Sequence, residues 1–187
     1  MQSYDYVSYE DFGRRFFEVA VTEDRVGAAF AAIAGNQFEM APIGQGPGKI
    51  AKVSAKVAIQ DPQVTRKIGE SITFDIHVPL AIDLLVDLRL DKQRFNVDGD
   101  IALRATARAA EPLLVIVAVE KPRPSDITVH VSSKSIRGEV LRIIAGVDGE
   151  IRRFIAQYVA DEIDTPESQA AQVINVAEHL DTGWTGG

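Results

Sequence analysis

Cysteine is absent from this chain of 187 residues, which excludes disulfide staples, thiolate metal sites and thiol nucleophiles together. Clustered basic charge is missing too. The net charge is −7, and Arg14-Arg15 and Arg152-Arg153 are isolated pairs within predicted helices, so the phosphate contacts that nucleic acid binding requires are not supplied. No apolar run is longer than Leu113 to Val119, far short of a membrane-crossing helix. Residues 1–11 are acidic and aromatic, with no basic stretch leading into an apolar one. No signal peptide is therefore expected, and a cytoplasmic location is.

Standard catalytic spacings are equally scarce. There is no Gly-x-Ser-x-Gly elbow. His77, His130 and His179 show no metal-ligand spacing. Asp83, Asp87 and Asp91 lie four residues apart on a predicted strand, about 13 Å from one to the next; they read as a solvated face balanced by Arg89, Arg104 and Arg108. Asp98-Gly99-Asp100 lacks the distal Glu of a calcium loop and reads as a turn or bulge. Gly44-Gln-Gly46-Pro-Gly48-Lys49 is followed by Ile50 and a strand, whereas a phosphate loop needs Ser or Thr and then a helix. No metal and no cofactor is expected.

What the sequence does hold is patterned apolar surface: 46% of residues are hydrophobic and 25% charged. Ser8, with Glu10 and Asp11 in the first turn, starts a helix that runs through Phe12, Phe16, Val19 and Ala20. Thr22 starts a second, carrying Val26, Ala29, Phe30 and Ile33 and stopping at Gly35-Asn36. Residues 41–48 read as a loop. Ala51 to Ile59 alternates with Lys52, Ser54 and Lys56, a strand with one wet face.

From Ile72 to Leu90 every even position is apolar. A two-residue hairpin at Pro79-Leu80 would shift the apolar phase to odd positions, so the phase implies one long strand bent at the proline or two strands joined by an odd-length turn. The first option gives a ribbon of roughly 60 Å. After Asp91-Lys92-Gln93 the phase flips, placing Phe95, Val97, Ile101, Leu103, Ala105 and Ala107 on the apolar face. Gly99 marks a bulge or a close contact. Leu113 to Val119 fits a central strand, Pro122 to Asp126 a turn, and Ile127, Val129 and Val131 a further strand, the whole forming an antiparallel meander.

A long helix is expected from Ser135 to Ile163, with an apolar stripe through Ile136, Val140, Ile144, Ile151 and Ile155 and a kink or break at Gly146 or Gly149. Thr165-Pro166-Glu167 opens a final helix to about Leu180, and residues 181–187 form a loose tail in which Trp184 is an anchor. The expected fold class is α+β: one domain over 1–164 (helices 8–35, sheet 49–132, long helix 135–163), with 165–187 as a C-terminal helix and tail.

This order of elements, with the kept phase of Ile72 to Leu90 and the helix segment Ile136-Arg-Gly-Glu-Val140-Leu-Arg-Ile-Ile, resembles the tubular lipid-binding superfamily of the bactericidal/permeability-increasing and synaptotagmin-like mitochondrial lipid-binding proteins. The resemblance implies a long, bent antiparallel sheet wrapped on the long C-terminal helix with a lipid seam between them. The chain is also similar to a group of actinobacterial intracellular proteins, from which no activity carries over. The rival is a START-like helix-grip fold, in which Arg15 to Val21 is the first strand and polyketide-cyclase-like chemistry acts in a hydrophobic cavity. A third reading is a structural homodimer without ligand. The expected partner is a hydrophobic small molecule or lipid, with Phe74, Ile76, Val86, Leu88, Phe95, Leu103, Ile144 and Phe154 as the candidate cavity wall.

Overall fold

The computed structural model of the chain describes residues 4–31, 33–131 and 138–184. Ser8 opens helix α1 (Tyr9–Ala20), its hydroxyl accepting the Asp11 backbone N–H at 3.1 Å. Helix α2 (Glu23–Ala31) follows after Val21-Thr22. Arg15 to Ala20 are helical, so the first strand of a helix-grip fold is not formed. The C-terminal carbonyls of α1 are capped from outside the helix. Arg25 Nη1 donates to Ala20 O at 2.6 Å, and Arg66 Nη1 donates to Glu18 O and Val21 O, both at 2.7 Å. Two guanidiniums thus answer the orphan acceptors and the negative end of the helix dipole.

Eight strands form one antiparallel sheet: β1 (Gln37–Gln45), β2 (Ala51–Ile59), β3 (Gln63–Ile68), β4 (Ile72–Asp87), β5 (Lys92–Ala110), β6 (Leu114–Val119), β7 (Ile127–His130) and β8 (Val173–Asn175). Their order is β1-β2-β4-β5-β6-β8. Strand β3 takes up the edge of β4 where β2 leaves it, and β7 shares the outer edge of β5 with β6. Two long central strands therefore carry pairs of short ones along their flanks, which departs from a simple meander. The sheet curls around helix α3 (Gly138–Ile163).

Strand β4 is continuous through Pro79. Its register against β5 is unbroken from Ile72↔Ala107 to Asp87↔Lys92. Sixteen residues at about 3.3 Å each give a ribbon of roughly 50 Å. All eight even positions from Ile72 to Val86 are buried at 4% exposure or less. The strand stops earlier than the apolar phase suggests: Leu88 to Asp91 form the turn, Arg89 adopts a left-handed φ of 68°, and Leu90 is fully exposed.

Gly99 lies within the ladder opposite Leu80, without a bulge. A Cβ there would sit 2.9 Å from the Thr128 carbonyl and 3.0 Å from Ile82 Cδ1, so the glycine admits close approach of β7. Residues 41–45, expected in a loop, complete β1, with a register shift between Met40 and Ile43 around Pro42. An irregularity in a sheet-edge strand is where a proline can be accommodated. Strand β3 carries no clean alternation and is found only through its pairing with β4.

Helix α3 runs without a break through Gly146 and Gly149. Gly146 lies against Gln45 of β1, where a Cβ would approach Gln45 Oε1 to 3.1 Å; packing thus uses the glycine without interrupting the helix. Val140, Ile144, Val147, Ile151, Ile155 and Val159 form its buried stripe. Phe38 stacks on Tyr158, ring centroids 3.7 Å apart, and meets Phe154 at 5.8 Å, fastening β1 to the helix. The expected start at Ser135, with Ile136, lies outside the described residues.

The segment after Thr165 is divided. Thr165 caps α4 (Pro166–Ala171), then β8 joins the sheet and α5 (Val176–Trp184) follows. The single helix expected here is interrupted because Val173 and Ile174, β-branched and suited to strands, pair with β6. Residues 185–187 and the Trp184 side chain lie outside the described residues.

Candidate functional site

Strand β6 carries Val115, Val117 and Val119 on one face of the sheet, yet only Val115 is buried. The other two look into a cleft of about 310 Å³ that opens to solvent beside the C-terminal end of α3. Val26, Ala29, Phe30 and Ile33 form its wall on the α2 side. Ile59, Leu103 and Ile174 come from the sheet, and Tyr158, Val159 and Ile163 from α3. Phe30, Ile33, Val117, Val119, Ile163 and Ile174 pack against the core but stay partly exposed. They border space that the protein's own side chains leave open.

The rim is polar. Gln172 closes it on the sheet side: its carbonyl accepts Val117 N–H at 2.8 Å, its side-chain oxygen accepts Val119 N–H at 3.4 Å, and its amide donates to Ser168 O at 3.2 Å. Arg25, Glu162 and Glu167 supply the charges. Burial, reinforced by the Glu162 charge, holds the Tyr158 hydroxyl above the ordinary tyrosine range. This arrangement can shelter an apolar body with one polar end facing the rim.

Of the eight expected wall residues, Leu103 lines this cleft. Phe74, Ile76, Val86 and Ile144 are buried to within 1%. Leu88 and Phe95 are partly buried toward the β4–β5 turn, and Phe154 packs on Phe38. Eight residues of β5, roughly 26 Å, separate Phe95 from Leu103, so the eight positions do not converge on one space. The residues at the cleft that the candidate wall omitted are Val117, Val119, Phe30, Ile33 and Ile163. Their signal was apolar character near the margins of the sheet, where covering elements run out.

The opposite face holds a polar groove of about 460 Å³ lined by Asp75, His77, Arg104, Lys121, Arg123 and Asp126, among others. A hydrogen bond from Lys67 holds the Asp75 carboxyl below its ordinary range against the opposing effect of desolvation, with Arg104 assisting. Beside it, His77 Nε2 and His130 Nε2 each lie 2.7 Å from a different oxygen of Asp100. This row crosses β4, β5 and β7 through diagonal neighbours, a spacing long side chains can span. Sequence separation hid it. Among the described residues, no group of three or more His, Asp or Glu side chains could hold a metal ion. Asp83 and Asp87 are solvated, as expected, but pair across the hairpin with Arg94 at 3.7 Å and Lys92 at 3.4 Å rather than with Arg89, Arg104 or Arg108. Among the described residues no helix is long and apolar enough to cross a membrane.

No protein-family model matches the chain, and no curated protein does. Among solved structures, it is similar to the crystal structure of lipopolysaccharide binding protein, with a TM-score of 0.45 and 13% sequence identity. The match covers 86% of this chain and 39% of that one, so the chain spans well under half the length of the protein it resembles.

Proposed function

We propose that this protein binds a hydrophobic small molecule in the cleft between α2, the C-terminal end of α3 and β6, and performs no chemistry on it. One observation carries the reading. The central strands bury their apolar face, and around this cleft Phe30, Ile33, Val117, Val119 and Ile163 remain partly exposed about a common space. Its volume of about 310 Å³ lies at the lower end of the roughly 300–1,000 Å³ typical of small-molecule sites. The apolar lining supplies affinity, and the rim groups orient a polar end.

Titration with N-phenyl-1-naphthylamine, a neutral dye that brightens in apolar surroundings, tests the proposal. The native protein binds it saturably, and Ala29→Trp and Val117→Trp, which fill the cleft from α2 and from the sheet, each abolish binding while the circular dichroism spectrum is kept. Absence of saturable binding, or undiminished binding by both filled variants, overturns the proposal.

A further inference from the structure

The charges at the rim constrain the ligand's head group. Glu162 sits in the last turn of α3, a helix of 26 residues, where the carbonyl end of the dipole adds negative potential. Glu167 lines the same cleft from α4. Neither carboxylate has an ion-pair partner among the described residues. On the turn between them, Asp164 takes Lys121 at 2.5 Å. The cation lining the cleft, Arg25, spends Nη1 on the last carbonyls of α1, Ala20 O at 2.6 Å and Val19 O at 3.5 Å. Of the charged side chains that line the cleft, two are therefore carboxylates without an ion-pair partner among the described residues and one is a guanidinium whose Nη1 is held by backbone carbonyls. Tyr158 also lines the cleft, and burial holds its hydroxyl above the ordinary tyrosine range.

Resting on the proposal that the cleft is a ligand site, we infer that its ligand is an amphiphile with a cationic, amine-type head, and that carboxylate-headed chains are rejected. An ammonium group brings three donors and a positive charge to the Glu162–Glu167 end while its chain lies along Phe30, Val117 and Ile163. A carboxylate in the same position faces two like charges, a negative helix terminus and an arginine whose charge is shared with backbone carbonyls. An alcohol head falls between them.

Displacement of bound N-phenyl-1-naphthylamine near pH 8 by decylamine, 1-decanol and decanoate, each below its aggregation limit, tests the inference. The expected order of affinity is decylamine, decanol, decanoate, with at least about tenfold between the first and the last, the factor that about 1.4 kcal/mol of charge interaction gives. In the double variant Glu162→Gln/Glu167→Gln the two charged chains converge to within about threefold, because the electrostatic discrimination is removed. Equal or tighter binding of decanoate by the native protein, or a preference that survives the double substitution, overturns the inference and leaves the cleft standing as a ligand site. Failure of decanol and of the dye to bind at all overturns both.

Discussion

Gln60 donates its backbone N–H to the carbonyl of Pro79 at 2.9 Å, and this bond explains how a proline stands in the middle of a 16-residue strand. In an antiparallel ladder the N–H and C=O of one residue face the same neighbour. The donor that Pro79 lacks would therefore have faced the β2 side, just past Ile59 where β2 ends and before Gln63 where β3 begins. The ladder to β5 loses nothing. Pro79→Ala is accordingly expected to change stability by less than about 1 kcal/mol. Ala81→Pro moves the proline to the next hydrogen-bonded pair, opposite Ala58, removes a ladder hydrogen bond and costs about 1–3 kcal/mol for the carbonyl left without its donor. Chemical denaturation of the two variants separates these outcomes; equal losses would mean that the gap between β2 and β3 is not what tolerates the proline.

Two glycines give opposite expectations. Gly99→Ala drives a methyl against the Thr128 carbonyl and Ile82 and destabilises by about 1–3 kcal/mol through overpacking. Gly149→Ala meets only the end of the Arg153 side chain at 3.9 Å and stabilises α3 by up to about 1 kcal/mol. Thermal unfolding of both reads out the sign.

How much of this was legible in the sequence follows from which residues carry strict alternation. The segment 72–86 declares its period because both flanks are paired and one face is wholly dry. Strand β3, with Arg66 and Lys67 on a flank of β4, has no such constraint, and β1 hides behind Pro42 and Gly44, which read as loop. Strand β8 occupies three residues in a stretch whose cap and proline announce a helix. The proposed cleft is hard to read in the sequence for a related reason. Phe74, Leu84 and Val86 give the strongest apolar signal because the core packs them completely, whereas open space forms where cover is incomplete, beside Val117 and Val119. Linear spacing carries no record of where a helix stops covering a sheet.

Arg66 ties the α1–α2 corner to β3 through the carbonyls of Glu18 and Val21, and its own backbone N–H donates to Glu23 Oε1 at 2.6 Å. Arg66→Ala is expected to cost about 1–3 kcal/mol, the range for removing charged hydrogen bonds at a partly buried site. Amide exchange in residues 9–26 should accelerate more than exchange in β4. Uniform acceleration across the chain would show that the arginine acts globally instead of holding this corner.

Asp75 and Asp87, whose carboxyls are held below the ordinary aspartate range, are expected to contribute to the acid limit of stability. Lys67 lowers the first, and the backbone N–H of Arg89, with Lys92 assisting, lowers the second. A carboxyl whose folded pKa is depressed contributes stability that is complete above its unfolded pKa and is lost as pH falls through the lower folded value. Asp75→Asn/Asp87→Asn should therefore be less stable than the native protein at pH 7, with the two urea midpoints converging as pH falls through the acidic range below the ordinary aspartate value. Parallel curves across that range would show that these carboxylates are not the linked groups.

The position of the ligand can be read directly from methyl chemical shifts during titration with 1-decanol. Saturable shifts are expected at Ala29, Ile33, Val117, Val119 and Ile163, with Ile82, Leu84 and Val86 at the other end of the sheet unmoved. Shifts confined to the exposed face of α1, around Val19, or no saturable shift at any of the cleft methyls, would contradict the proposed site.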